Sequence, residues 1–239
     1  MEFIEKPYLP QKRITVAVGD IKIQGALVIK PYRAECMPPS MKYHGDLSFC
    51  CLGQGVCVCA PEAYDYYNEH LKDRKVKLIK GESVLSGNYP YDAAYNVAIV
   101  GDKIFCKKAI TDPILLYEAE KMGYKTVNIN QGYAKCSVCP VDEKSAISAD
   151  ASFIKSAEKE GVEVLKVTNG NICLDGFDNG FFGGCCFMTD KKTFSLKGDI
   201  RTLPQYGEIK EFLEKRGISI IHGNGPVTDF GSLIPIMEE

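Results

Sequence analysis

Residues 135–167 read KCSVCPVDEKSAISADASFIKSAEKEGVEVLKV, and this stretch decides the fold. It opens with two short β-prone runs on either side of an Asp142-Glu143-Lys144 turn. A helical stretch follows, with Phe153 and Ala157 spaced to share one face. That helix is expected to stop at Lys159-Glu160-Gly161, just before the β-run VEVLKV. Glycine suits a helix end because it takes the left-handed conformation without a Cβ clash.

The same order recurs on both sides. LSFCCLGQGVCVCA, YNVAIVGDKIFCKK and FFGGCCFMTDKKTFSL read as hairpins turning at Gly53-Gln54-Gly55, Gly101-Asp102 and Asp190-Lys191-Lys192. Lys121-Met122-Gly123 precedes YKTVNI, and Lys215-Arg216-Gly217 precedes ISIIHG. Pro113 and Pro204 are expected in first helical turns, where a missing N–H costs nothing. Another helix is expected from Pro61, with Tyr64, Tyr67 and Leu71 on one face, but no glycine separates it from KVKLIKG. The repeating unit is therefore hairpin, helix, strand. Four copies are complete, and GPVTDFGSLIPI starts a fifth. The runs ITVAVGD and IKIQGALVIK, within about residues 13–30, are expected to finish it and close a ring.

Composition fits an α/β protein with one domain over residues 1–239: 45% of residues are apolar and 25% charged. A net charge of −2 argues against nucleic acid as a partner. No apolar run approaches the roughly 18 residues of a membrane span. The first residues, MEFIEK, do not read as a secretory signal, so a cytoplasmic protein is expected. Eleven cysteines in such a chain are expected to be reduced: buried, metal-binding or reactive.

The five segments leading into the hairpins are YHGDLSF, YPYDAAYN, GYAKCSV, GFDNGFF and VTDFGSL. They put Asp46, Asp92, Lys135, Asp178 and Asp229 at or near equivalent places. In a ring, four carboxylates and one amine would face a common channel and favour a small cationic ligand. Turn formation alone explains any single one of these aspartates.

This arrangement resembles the guanidino-group-modifying enzymes, or penteins, which include arginine deiminases, dimethylarginine hydrolases, amidinotransferases and a non-catalytic ribosome anti-association factor. The stretches QGYAKCSV (131–138), DGFDNGFFGG (175–184) and TDFGSLIP (228–235) are similar to the signatures of an uncharacterised bacterial family assigned to that fold. The resemblance covers Tyr43 to Pro235 and implies a five-unit α/β propeller, with short strands around a central channel and helices outside. It also implies a cysteine thiolate that attacks the guanidinium carbon, a histidine that moves protons, and carboxylates that grip the N–H groups. In those enzymes the cysteine lies in the last unit and the histidine in a middle one. Here the last cysteine is Cys186, the final lead-in offers Thr228, Asp229 and Ser232, and Tyr133 and Lys135 stand where the histidine is expected.

Among the residues themselves, Cys136 is the expected nucleophile, because the Lys135 ammonium beside it would stabilise a thiolate. The alternative is a buried strand cysteine. His44, two residues before Asp46, is the expected proton carrier. Asp46, Asp92, Tyr133, Asp178 and Asp229 are expected to hold the ligand. His222 is placed near the same rim, and His70 in solvent. Cys139 completes a C-x-x-C with Cys136, yet positions i and i+3 of a strand face opposite ways. Cys50, Cys51, Cys57 and Cys59 form a metal-like cluster whose spacings match no standard zinc knuckle. Adjacent Cys185 and Cys186 cannot both face one site. Gly183-Gly184 and Gly223-Asn224-Gly225 lack the context of a phosphate loop.

The expected function is a cofactor-independent hydrolase or amidinotransferase acting on a small guanidino or amidino cation, with no bound metal. Two alternatives are a non-catalytic binding protein on the same fold and a cysteine-rich metal or redox protein.

Overall fold

The computed structural model describes residues 1–239. Strands Phe49–Cys51 and Val56–Cys59 pair antiparallel, helix Tyr64–Leu71 follows, and Lys77–Lys80 returns parallel to Val56–Cys59. A parallel return needs a crossover, which the helix supplies. The second unit repeats this with Ala98–Val100, Lys103–Cys106, helix Pro113–Lys121 and Lys125–Asn128. The third uses Val138–Asp142, Ser145–Ser148, helix Ala151–Lys159 and Glu163–Lys166. The fourth uses Cys186–Asp190, Thr193–Leu196, helix Tyr206–Glu214 and Ser219–His222.

The fifth sheet joins the two ends of the chain. Leu233–Glu238 pairs antiparallel with Ile14–Gly19, which pairs parallel with Leu27–Ile29. The N-terminal segment thus supplies the strands that the last unit lacks. Here the crossover is a turn-rich connector, not a helix. Glu2–Phe3 adds a further edge strand against Leu233–Glu238.

Helix ends follow the local chemistry. Gly123, Gly161 and Gly217 have φ of 88°, 75° and 66°, the left-handed cap that releases each chain into its strand. In the copy without glycine, Lys75 takes φ 57° and bears the cost itself. Asp112 and Asp150 cap their helices by accepting from the N–H of Leu115 and Phe153. Pro113 sits in the first helical turn as expected, whereas Pro204 lies ahead of its helix, which starts at Tyr206.

The buried apolar clusters run between units. The largest joins the closing sheet to the first and second units, through residues such as Ile234, Val58 and Ile104. Phe105 and Phe153 belong to a cluster spanning the second and third units, and Ile147 and Phe194 to one spanning the third and fourth. Phe187, Phe230 and Leu233 link the fourth to the fifth. Each unit therefore shares apolar burial with its neighbours, and each large side chain so buried stabilises the fold by roughly 1.5–3 kcal/mol. No helix is long and apolar enough to cross a membrane.

Candidate active site

The five lead-in segments meet at one end of the sheets. Three contain a single helical turn directly ahead of the hairpin: Gly45–Ser48, Ala134–Ser137 and Phe182–Cys185. Phe49, Val138 and Cys186 are the first paired residues of those hairpins, opposite Cys59, Ser148 and Leu196. Asp46, Lys135 and Gly183 stand in the same position ahead of them. Asp229 falls one residue out of this register, judged from Leu233 opposite Gly19. The four aspartates are thus not equivalent positions of the repeat.

Asn96 ties three lead-ins together. Its Oδ1 accepts from the N–H of Lys135 at 2.7 Å and of Cys136 at 3.2 Å. Its Nδ2 donates to the Asp46 carbonyl and to Cys136 Sγ, both at 3.2 Å. The Cys136 thiol in turn donates to Asp46 Oδ2 at 3.0 Å. All three residues are buried. Asn96 was missed from the sequence, but a signal existed: a polar residue stands just ahead of the apolar strand at Ser48, Asn96, Ser137 and Ser232.

Lys135 does not serve Cys136 as expected. Its Nζ points away, donating to Ser232 Oγ at 2.8 Å and to the Gly183 carbonyl at 3.0 Å, with the Tyr8 ring centroid 5.0 Å away. It stitches the third, fourth and fifth lead-ins. The reason is its own burial: a 2% exposed ammonium must satisfy its donors on whatever oxygens the neighbouring segments present.

The thiol is consequently not activated in the free protein. Burial pushes the Cys136 thiol well above the usual cysteine range, and the charges of Asp46 and Asp229 push the same way. Burial also raises the Asp46 carboxyl, against the opposing pull of His44 and Lys135. Asp92, raised by burial, accepts the Tyr133 hydroxyl at 2.5 Å. Asp229 accepts from the N–H of Phe181 at 2.8 Å and of Gly231 at 3.1 Å.

Two glycines make this convergence possible. A Cβ on Gly184 would lie 2.0 Å from Asp229 Oδ1, and one on Gly231 would lie 2.5 Å from the His44 Cα. Gly183-Gly184 therefore serves close packing at the centre of the lead-ins, with no role as a phosphate loop.

Several polar atoms remain unsatisfied. Neither ring nitrogen of His44 has a hydrogen-bond partner, and Asp46 Oδ1 and Asp92 Oδ1 have none. His44 Nδ1 stands 3.9 Å from Asp229 Oδ1, with both side chains buried. A cavity of about 150 Å³ opens beside them, with His44, Cys136 and Asp229 among its polar lining and Tyr133, Leu174 and Phe181 among its apolar walls. A wider cavity of about 460 Å³ shares His44, Leu174 and Asp229 and adds Lys197 and Thr228.

The remaining expected residues lie elsewhere. Asp178 is exposed, between the cavity-lining Phe177 and Asn179, so the loop turns its carboxylate to solvent. Asp92 reaches the cavity through the Tyr133 hydroxyl. His222 bonds the Gly223 carbonyl, and His70 is exposed and bonds the Tyr66 carbonyl. All eleven cysteines are free thiols. The side chains placed to share a metal ion are His44, Asp46 and Cys136 rather than the Cys50–Cys59 group.

Comparison with solved structures places this geometry in a known fold. The inosamine-phosphate amidinotransferase of Streptomyces griseus superposes with a TM-score of 0.59 at 9% identity, covering 100% of this chain and 97% of that one. The amidinotransferase of the saxitoxin biosynthetic pathway from Microseira wollei gives 0.58 at 11% identity, over 92% and 91% of the two chains. A dimethylarginine dimethylaminohydrolase from Pseudomonas aeruginosa gives 0.55 at 10% identity, over 89% and 92%. The chain shares the pentein fold of these proteins. Comparison with curated proteins by sequence finds no match. A family model does match, across residues 12–234 of the 239, and by that match the chain belongs to the family of unknown function DUF6873.

Proposed function

We propose that the sheets of the five repeated units form a single-domain propeller, and that the protein modifies a small guanidinium or amidinium compound through Cys136. Cyclic contact between units, from the first round to the fifth and back, supports the propeller. The observation that carries the enzyme reading is the Cys136 thiol, bonded to the Asp46 carboxylate beside a cavity that His44 and Asp229 also line.

The chemistry follows from charge. A planar cation seated against Asp46 and Asp229 neutralises the field that opposes the thiolate, so the substrate itself activates the nucleophile. Cys136 Sγ then bonds to the central carbon, and one C–N bond breaks. The thiol proton leaves with the departing amine, carried by His44, whose unpartnered imidazole is free to take and give it. Water or an acceptor amine next attacks the same carbon, and the S–C bond breaks to return the thiol. Tyr133, Leu174 and Phe181 keep bulk water from that carbon.

The placement departs from the relatives in an ordered way. Their cysteine and histidine lie in the last and a middle unit, two units apart by the resemblance noted above. Cys136 and His44 lie in the third and first units, again two apart but moved around the pseudo-symmetric set. In a propeller of repeated units the same cysteine–histidine geometry is accessible from more than one starting unit.

Screening guanidino and amidino compounds for released ammonia or amine tests the reading, with mass spectrometry of Cys136 for a covalent intermediate. Turnover that disappears in Cys136→Ser supports it. Ligand-induced thermal stabilisation without product or adduct would instead assign the site to binding.

A further inference from the structure

We infer that His44, Asp46 and Cys136 form a binding site for a soft divalent cation of the zinc class, one ion per chain. Their ligand atoms, an imidazole nitrogen, a carboxylate oxygen and the thiol sulfur, all lie within 4.8 Å of one another, and all three residues are buried. Small movements of these side chains bring such atoms to the roughly 2.0–2.3 Å bonds that zinc makes with nitrogen, oxygen and sulfur.

Independent features of the site point the same way. Both His44 ring nitrogens and Asp46 Oδ1 are buried without a hydrogen-bond partner, so the site holds donor atoms that the protein leaves unused. Buried polar atoms without partners need an explanation, and a bound ion supplies one here. The charges also balance: a divalent ion with one thiolate and one carboxylate is a neutral set, suited to a closed environment. Asp229 Oδ1 stands 3.9 Å from His44 Nδ1, outside hydrogen-bond reach, and a small ring rotation on metal binding would let it hold the ring from behind, as carboxylates do for metal-binding histidines. The adjoining cavity leaves a fourth position open to a small molecule. Imidazole, thiolate and carboxylate together select zinc-like ions over magnesium or calcium.

Binding would release the Cys136 proton to solvent and replace the thiol–Asp46 hydrogen bond with two metal bonds. An occupied site and a free Cys136 nucleophile exclude each other. The inference nevertheless stands apart from the enzyme reading, because the ion is detected without any turnover.

The test uses the full-length protein and Co²⁺ alone as the probe, followed by displacement with Zn²⁺. A thiolate-to-cobalt absorption band with visible bands of four-coordinate geometry is expected at one ion per chain. Cys136→Ser should remove the thiolate band, and Asp229→Asn should weaken binding about tenfold by freeing the ring. Circular dichroism checks that each variant is folded. X-ray absorption at the zinc edge on the unaltered protein gives a second readout, with a single sulfur at about 2.3 Å expected. Two or more sulfurs would move the ion to the hairpin cysteines and overturn the assignment. So would a cobalt band that survives in Cys136→Ser, or no ion retained through gel filtration.

Discussion

Cysteines crowd two regions of this chain, the hairpin spanning residues 49–59 and the third lead-in with Cys136, and their surroundings differ in kind. In the hairpin, Cys51 pairs across the strands with Cys57, and Cys50 and Cys59 are buried with them in the largest apolar cluster. Burial pushes the Cys59 thiol up to about 12. These side chains behave as small hydrophobes that fill space between strands. Cys136 is as deeply buried, yet it touches a carboxylate and a carboxamide, and an imidazole and a cavity lie beside it. A high density of cysteine thus marks packing in this chain, and a single cysteine among polar groups marks the candidate site.

Substitution of matched thiols gives the largest expected contrast. Cys136→Ser is expected to abolish turnover and leave the melting temperature little changed. Cys57→Ala is expected to leave turnover intact and lower stability by about 1–2 kcal/mol, through the cavity it creates. Denaturant melts beside product assays read both. Equal loss of activity in the two variants would erase the distinction between the regions.

Glycines offer the next contrast. Gly231 and Gly161 have the same φ of 75°, but a Cβ would strike His44 at the first and meet nothing within 4 Å at the second. Gly231→Ala is expected to cost about 2–4 kcal/mol, and Gly161→Ala only about 1 kcal/mol. Chemical denaturation of both variants checks this difference.

Asp46→Asn should separate function from stability. The folded carboxyl is raised above its unfolded value, so the fold binds this proton more tightly than the unfolded chain does. Its stabilising contribution is complete below the unfolded value of about 4 and is lost as pH rises through the folded value. At neutral pH the variant is therefore expected to be more stable than the native protein, a gap that closes as the pH falls. Thermal melts across that range test the sign.

Tyr133→Phe is the mildest change, expected to cost about 1 kcal/mol by removing the hydroxyl donor to Asp92. It should also weaken binding of a cationic ligand less than Asp229→Asn does.

The repeating architecture was legible because its signals are local. Glycine after three of the four helices, turn residues within each hairpin and alternating apolar runs all lie within a few residues of one another, as in the stretch 135–167. Completion of the fifth unit by the N-terminal strands was legible too, since a half-built unit must find its missing strands somewhere. The site was only partly legible. Cys136, His44, Asp46 and Asp229 converge, but the direction of the Lys135 side chain depends on Ser232 and Gly183, which are distant in sequence. Asp178 read as part of the rim because a lead-in written in letters does not show which way its loop turns. Asn96 shares the polar position ahead of the strands with Ser48, Ser137 and Ser232, but that pattern does not show that one carboxamide bridges three segments.

Under the proposed function, the acidic surroundings of Cys136 make its thiol respond to cations. Labelling with an amidinium-bearing haloalkyl electrophile and with its neutral amide counterpart, each mapped by peptide mass spectrometry at neutral pH, tests this directly. The cationic reagent is expected to modify Cys136 first, and the neutral one to modify the exposed Cys36 and Cys173 instead. If both reagents label the same exposed thiols and spare Cys136, the site neither gathers cations nor activates its thiol, and the account fails.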